Sequence, residues 1–231
     1  MKAMILAAGF GTRMRPLTDT CPKPLLRVGG RPLIEHHLER LAQAGIKEVV
    51  INVSYRAEQI ITALGDGQRF GLTLHYSRET TPLETGGGIQ AALPLLGEAP
   101  FVLVNGDVWC ETLPQITALG KDDLAHLLLV DNPDHHPAGD FALQGGRIVA
   151  DSTATKDEPR LTFSGLSLIN PALVAGEPPG AFALAPLLKA AMRQGRVSGE
   201  HFTGRWVDVG TPERLAALDK SLTDASTAST P

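Results

Sequence analysis

Short apolar runs alternate with stretches of helical periodicity over the first 110 residues. Residues 2–8, 48–53, 72–77 and 101–105 are β-branched or apolar runs of strand length, and the apolar positions between them repeat at the spacing of one helix face. Pro32 opens the first helix; Leu33, Ile34, His37, Leu38 and Leu41 fall on one side of it, and Gly45 closes it. A second helix is predicted over 57–64 and a third over 88–96, where Pro94 should end or bend the last turn. Strands regularly separated by helices predict an α/β fold with a mostly parallel sheet flanked by helices.

After residue 110 the pattern loosens. Residues 124–131, 141–143, 147–150, 161–169 and 205–209 read as strands with fewer helices between them, so this half is expected to be smaller and more antiparallel. A helix is predicted over 182–193 with an interruption near Pro186, and Thr211-Pro212-Glu213 reads as a helix start, with Thr as N-cap and Pro at the first helical position. Residues 223–231, rich in Ser, Thr and Ala, are expected to fray as a flexible tail. Without a long linker or a repeat, residues 1–222 are expected to form one domain, in parts of about 1–110 and 111–222.

Composition narrows the function classes. The 231 residues are 43% hydrophobic and 20% charged with a net charge of −4, which argues against disorder and against a broad basic field for nucleic acid. Any polyanion must therefore be held locally. No apolar run approaches the roughly 20 residues of a membrane span, and Arg13 and Arg15 follow the first run too closely for a secretory signal. Cys21 and Cys110 read as free thiols in a reducing compartment, and neither has a His or second Cys at ligand spacing. A cytoplasmic protein with no membrane or nucleic-acid partner is expected, its oligomeric state open.

The residues Ile5-Leu6-Ala7-Ala8-Gly9-Phe10-Gly11-Thr12-Arg13 run from an apolar strand into small residues, a turn in which backbone N–H groups can approach an anion. No Gly-Lys-Ser/Thr follows, so this is not a Walker A loop, and Met14 occupies the third glycine position of a dinucleotide fingerprint. By itself the turn is an ordinary strand-to-helix connection. Arg13 and Lys23 change its meaning: Lys23 lies between Pro22 and Pro24, whose restricted backbones hold it on a stiff segment. Taken singly, each cation also reads as a surface residue. Asp107, after Asn105-Gly106 at a strand end, lies where open α/β sheets bind ligands, and Asp208 lies at another strand end before a capped helix. Each alone also reads as a turn or cap former; together they are what Mg²⁺ needs from a protein that also binds phosphates. His135 and His136 with Asp131 and Asp134 read as a polar loop, and Trp109 and Trp206 as packing anchors.

Leu6 to Thr18, Pro22-Lys23-Pro24-Leu25-Leu26 and Gly30-Arg31-Pro32-Leu33-Ile34 together resemble the signature of the sugar nucleotidyltransferase family. Asn105-Gly106-Asp107 and Trp206-x-Asp208-x-Gly210-Thr211 resemble its two acidic motifs, and Thr81 to Gly88 resembles its base-contacting loop. The resemblance implies a Rossmann-like sheet with a smaller antiparallel sugar-binding portion. It implies that Leu6, Ala8, Gly9, Gly11 and Thr12 wrap a nucleoside triphosphate, that Leu83, Thr85 and Gly86 meet its base, and that Arg13 and Lys23 bind the reacting phosphates as catalytic groups. It places Mg²⁺ between Asp107 and Asp208, and sugar contacts at Asn105, Asp140 and Thr162; Arg205 could pair with the acceptor's phosphate or carboxylate. The partners implied are UTP and a sugar 1-phosphate. N-acetylmuramate 1-phosphate, in cell-wall recycling, is favoured because the chain stops soon after Asp208, where several relatives extend. Uridylyl or thymidylyl transfer to glucose 1-phosphate, guanylyl transfer to mannose 1-phosphate, and a nucleotide-sensing subunit without chemistry are the alternatives.

Overall fold

A computed structural model describes residues 1–113, 118–149 and 160–228 of the protein. In chain order its elements begin with β1 (Ala3–Leu6), the hairpin strands β2 (Arg27–Val28) and β3 (Arg31–Pro32), α1 (Leu33–Gln43), β4 (Glu48–Val53) and α2 (Ala57–Leu64). Then come β5 (Thr73–Arg78), α3 (Glu84–Leu96), β6 (Phe101–Asn105), β7 (Val108–Cys110), β8 (Ala125–Val130), β9 (Phe141–Gln144), β10 (Arg147–Val149) and β11 (Arg160–Ile169). The chain continues through α4 (Leu184–Arg193), β12 (Val197–His201), β13 (Trp206–Asp208) and α5 (Pro212–Ala228).

The main sheet runs β5-β4-β1-β6-β11-β8-β12-β10-β9 among the described residues. From β5 to β6 every pair is parallel, and β11 then runs antiparallel to both β6 and β8. The second half is thus mixed rather than purely antiparallel, because β12 pairs parallel with β8. After β1 the chain moves to one side, through β4 and β5, and then returns to β6 on the other side of β1. This reversal of strand order leaves a crevice at the carboxyl ends of β1 and β6, the place where open α/β sheets bind ligands.

Both sheet faces are covered, which explains the nearly continuous apolar strands. Ala3 and Ile5 of β1 pack with Ile34, Leu38 and Leu41 of α1 and Ile60 of α2. Met4 points the other way, with Ile89 and Ala92 of α3 and Leu184 and Leu188 of α4. His37 of α1 is fully buried in this interior; burial first, then the Arg40 and His36 charges, hold its ring at about 3, far below an ordinary imidazole.

Several boundaries differ from the sequence expectation. Helix α3 starts at Glu84, so Gly86, Gly87 and Gly88 lie inside it and not in a turn before it. Packing requires glycine at these helical positions: a Cβ on Gly86 would strike the Phe182 ring, and one on Gly88 would lie 2.7 Å from Glu79 Oε1. Pro94 sits within the last turns of α3 and does not end it; Gly97 does. Pro186 lies in the first turn of α4, where its missing N–H costs nothing, so that helix is uninterrupted. Helix α5 continues to Ala228, past the point at which fraying was expected.

Candidate functional site

A cavity of about 400 Å³ opens at the crevice beyond β1 and β6. One wall is the segment after β1, from Leu6 to Met14, and it carries Leu6, Ala8, Gly9, Gly11, Thr12 and Arg13. Gly11 has φ +63°, and a Cβ there would come within 2.9 Å of Thr18 Cγ2, so glycine is required both by conformation and by space. The Thr18 hydroxyl fixes the turn by donating to the Gly11 carbonyl at 2.8 Å. Gly9, by contrast, faces open space, with no atom within 4 Å of where its Cβ would stand.

The turn after β6 supplies Asp107 to the cavity. Asn105, Gly106 and Asp107 line the cavity, and the Gly106 N–H donates to the Leu6 carbonyl at 3.0 Å, an approach so close that a side chain at 106 would collide with that oxygen. This closure turns Asp107 out of the sheet toward the segment after β1. Lys23, in a 3-10 turn framed by its two prolines, brings Nζ to 3.1 Å from Asp107 Oδ2; its side chain is 12% exposed. Arg13 lines the same cavity.

Asp208 reaches this edge through a two-stranded ladder. Strands β7 and β13 pair antiparallel with Val108 opposite Asp208, and the Val209 N–H donates to the Asp107 carbonyl at 2.8 Å. Two acids 101 positions apart in sequence are thereby held one ladder step apart. Asp208 Oδ2 forms an ion pair with Arg214 Nη2 at 3.2 Å and a hydrogen bond with His135 Nε2 at 3.1 Å. Both carboxylates remain partly exposed, at 37% for Asp107 and 24% for Asp208. Asp107 lines the cavity and Asp208 is held one ladder step from it, and an all-oxygen pair so placed fits a hard divalent cation that keeps phosphate and water ligands.

On the third side, Pro82, Leu83, Glu84 and Thr85 close the cavity. Gly86 does not line it, because its N–H donates to the Phe182 carbonyl at 2.9 Å and its Cα packs on that ring. Two lining residues carry no sequence expectation: Asn52 at the end of β4 and Glu79 just after β5. Asn52 accepts from the Ala7 N–H at 2.7 Å and donates to Glu79 Oε1 at 2.7 Å, while Glu79 Oε2 accepts from the Leu83 N–H at 3.1 Å. This buried chain ties the segment after β1 to the loop before α3. The available signal is a polar side chain interrupting the apolar residues 49–53.

Of the four expected sugar contacts, only Asn105 lines the cavity. Asp140 accepts from the Phe163 N–H at 2.8 Å and pairs with His136 at 3.0 Å, and the Thr162 hydroxyl donates to Asn132 Oδ1 at 2.8 Å. Both are spent on shaping the loop of residues 131–140. Arg205 turns away, donating to the Ser221 hydroxyl at 2.6 Å and lying over the Trp109 ring. The side chains that touch Asp208 are Arg214 and, from that loop, His135, which the sequence places among loop polars.

N-acetylmuramate alpha-1-phosphate uridylyltransferase of Neisseria meningitidis is 51% identical over 225 residues, covering 93% of this chain and 95% of that protein. The protein of that name from Caulobacter vibrioides is 36% identical, covering 96% and 97%. A crystal structure of a putative glucose-1-phosphate thymidylyltransferase from Bacillus anthracis superposes with a TM-score of 0.84 over 97% of this chain and 96% of its own, at 23% identity, a likeness of fold. No described helix is long and apolar enough to cross a membrane. Residues 2–141 match the nucleotidyl transferase family, and the chain belongs to it.

Proposed function

We propose that the protein joins UTP and N-acetylmuramate 1-phosphate to give UDP-N-acetylmuramate and pyrophosphate. The observation that carries this is the meeting, at one sheet edge, of an open glycine turn, Lys23 and the two carboxylates Asp107 and Asp208. The two uridylyltransferases that match nearly end to end support the choice of base and sugar. The cytoplasm, where UTP is available, is the compartment this reaction fits.

An acceptor phosphate is anionic at neutral pH, so its oxygen needs no general base. It bonds to the α-phosphorus in line as the bond from that phosphorus to the bridging oxygen breaks, and pyrophosphate takes that electron pair away. The protein's contribution is positioning and charge neutralisation, the large terms for this class of reaction. The backbone N–H groups of Gly9 to Thr12 and the Arg13 guanidinium hold the triphosphate. Lys23 moves its ammonium from Asp107 to the reacting phosphates. Leu83 and Thr85 cover the base, held in place through Glu79 and Asn52. Asp107 and Asp208 would hold Mg²⁺, which supplies charge neutralisation at the phosphates when bound.

Gly9 gives a prediction that separates ligand from fold. Because nothing stands within 4 Å of its Cβ position and its φ is not in the left-handed region, Gly9→Ala should melt within a degree or two of the parent protein. A methyl at that place projects into the space proposed for the triphosphate, so the KM for UTP should rise about tenfold or more. A large fall in melting temperature with an unchanged KM would contradict this placement.

The reaction itself is tested by pyrophosphate release over a matrix of UTP, dTTP, GTP and ATP against sugar 1-phosphates, with Mg²⁺. UTP with N-acetylmuramate 1-phosphate should give the highest kcat/KM. Preference for GTP with mannose 1-phosphate would replace the substrate pair, and no release from any pair would replace the enzyme with a nucleotide-sensing protein.

A further inference from the structure

We infer that Arg214 and His135 form a second anion subsite, on the far side of the acidic pair from the glycine turn, that receives the phosphate of the acceptor sugar. This rests on the reaction proposed above. A triphosphate and a sugar phosphate must lie side by side at the α-phosphorus, next to two carboxylates. The acceptor's charge is therefore repelled from two directions unless cations face it.

Among the described residues three cationic or imidazole side chains touch the acidic pair: Lys23 on Asp107, and Arg214 and His135 on Asp208. Lys23 comes from the triphosphate side, on the stiff segment that follows the glycine turn. Arg214 and His135 come from elsewhere. Arg214 stands on the first turn of α5, whose N-terminal end adds partial positive charge, and His135 stands on the loop of residues 131–140, between β8 and β9. Both reach the same oxygen, Asp208 Oδ2, at 3.2 and 3.1 Å.

The guanidinium is close to the cavity and incompletely used. It lies directly over Gly210, a lining residue, where a Cβ would collide with Nη2. Its contact with Asp208 is made through Nη2, and its buried Nε has no hydrogen-bond partner among the described residues. An Arg fork held this way retains donors for a phosphate, the group whose geometry it matches. His135 is 39% exposed and closes the other side of the carboxylate. A divalent cation held by Asp107 and Asp208 would compete for the same Oδ2, leaving the Arg214 guanidinium and the His135 ring to the acceptor phosphate.

The test is calorimetric titration of N-acetylmuramate 1-phosphate into the full-length protein preloaded with Mg²⁺ and α,β-methylene-UTP, for the parent, Arg214→Gln, Arg214→Lys and His135→Gln. Arg214→Gln should weaken acceptor binding about tenfold or more, Arg214→Lys should restore part of it, and His135→Gln should weaken it less. The Kd of the UTP analogue, measured without acceptor, should stay within about twofold in all three, which a merely structural role at Asp208 would not produce. Unchanged acceptor binding in Arg214→Gln, or an equal loss of analogue binding, overturns the inference. If the parent does not bind N-acetylmuramate 1-phosphate, the substrate assignment fails, and inorganic phosphate is titrated instead. Weaker phosphate binding in Arg214→Gln then sustains the subsite, and equal binding overturns it.

Discussion

Asp107→Ala is expected to lower kcat by about 10²–10³-fold or more while the protein stays folded, the usual loss when one preorganised charge-stabilising group is removed from an active site. The fold should survive because what Asp107 contributes to it is mostly backbone: its carbonyl accepts from the Val209 N–H and joins the β7–β13 ladder whatever the side chain. The side chain's partner is Lys23, across a carboxylate that is 37% exposed, a pair worth at most about 1 kcal/mol. Asp208→Ala should lose comparable turnover but melt lower, since it strips Arg214 and His135 of their shared acceptor. The double variant should be little slower than either single one, as expected of groups that act as one unit. Pyrophosphate release at saturating substrates and thermal melts measure both effects, and activity within tenfold of the parent in Asp107→Ala would remove the acidic pair from the chemistry.

What the sequence displays and what it hides divide along physical lines. The helix over 57–64 is legible to the residue and α1 nearly so, because local periodicity and Pro and Gly punctuation decide those boundaries. The start of α3 is not, because three consecutive glycines are poor helix formers and only the nearness of Phe182, the Gly180 carbonyl and Glu79 explains why no Cβ can stand there. Strand β12, Val197-Ser198-Gly199-Glu200-His201, has too little apolar surface to announce itself, and its parallel place beside β8 comes from the tertiary fold. The site shows the same division. Lys23, Arg13 and the two acids stand in short, dense motifs, whereas the chain from Ala7 through Asn52 and Glu79 to Leu83 joins four segments that only the sheet order makes neighbours. Arg205 and Arg214 lie three and six positions from Asp208, and the sequence offers no ground for choosing between them. The chain direction separates them: Arg205 enters β13 on the Trp109 side, while the first turn of α5 folds Arg214 back over Gly210.

Lys23→Ala should reduce kcat/KM for UTP by about 10²–10³-fold, with most of the loss in kcat. The division between the two constants follows from what Lys23 does before and during the reaction. In the free protein its ammonium is already neutralised by Asp107 at 3.1 Å, so moving it to phosphate exchanges one ion pair for another and adds little to ground-state affinity. In the transition state negative charge builds on the departing pyrophosphate, and a cation held there gains more than it did in the ground state; such a difference appears in kcat. Lys23→Arg should remain closer to Ala than to the parent. The Lys23 side chain is only 12% exposed, and a planar guanidinium cannot place its charge where the compact ammonium stood. Melting temperatures should move little, because the lost pair is partly exposed on the Asp107 side. Steady-state kinetics with UTP varied at saturating acceptor, beside the Kd of α,β-methylene-UTP for each variant, separate the two constants. A Kd raised as far as kcat/KM falls would make Lys23 a ground-state anchor, and full activity in Lys23→Arg would mean that any cation at that place suffices.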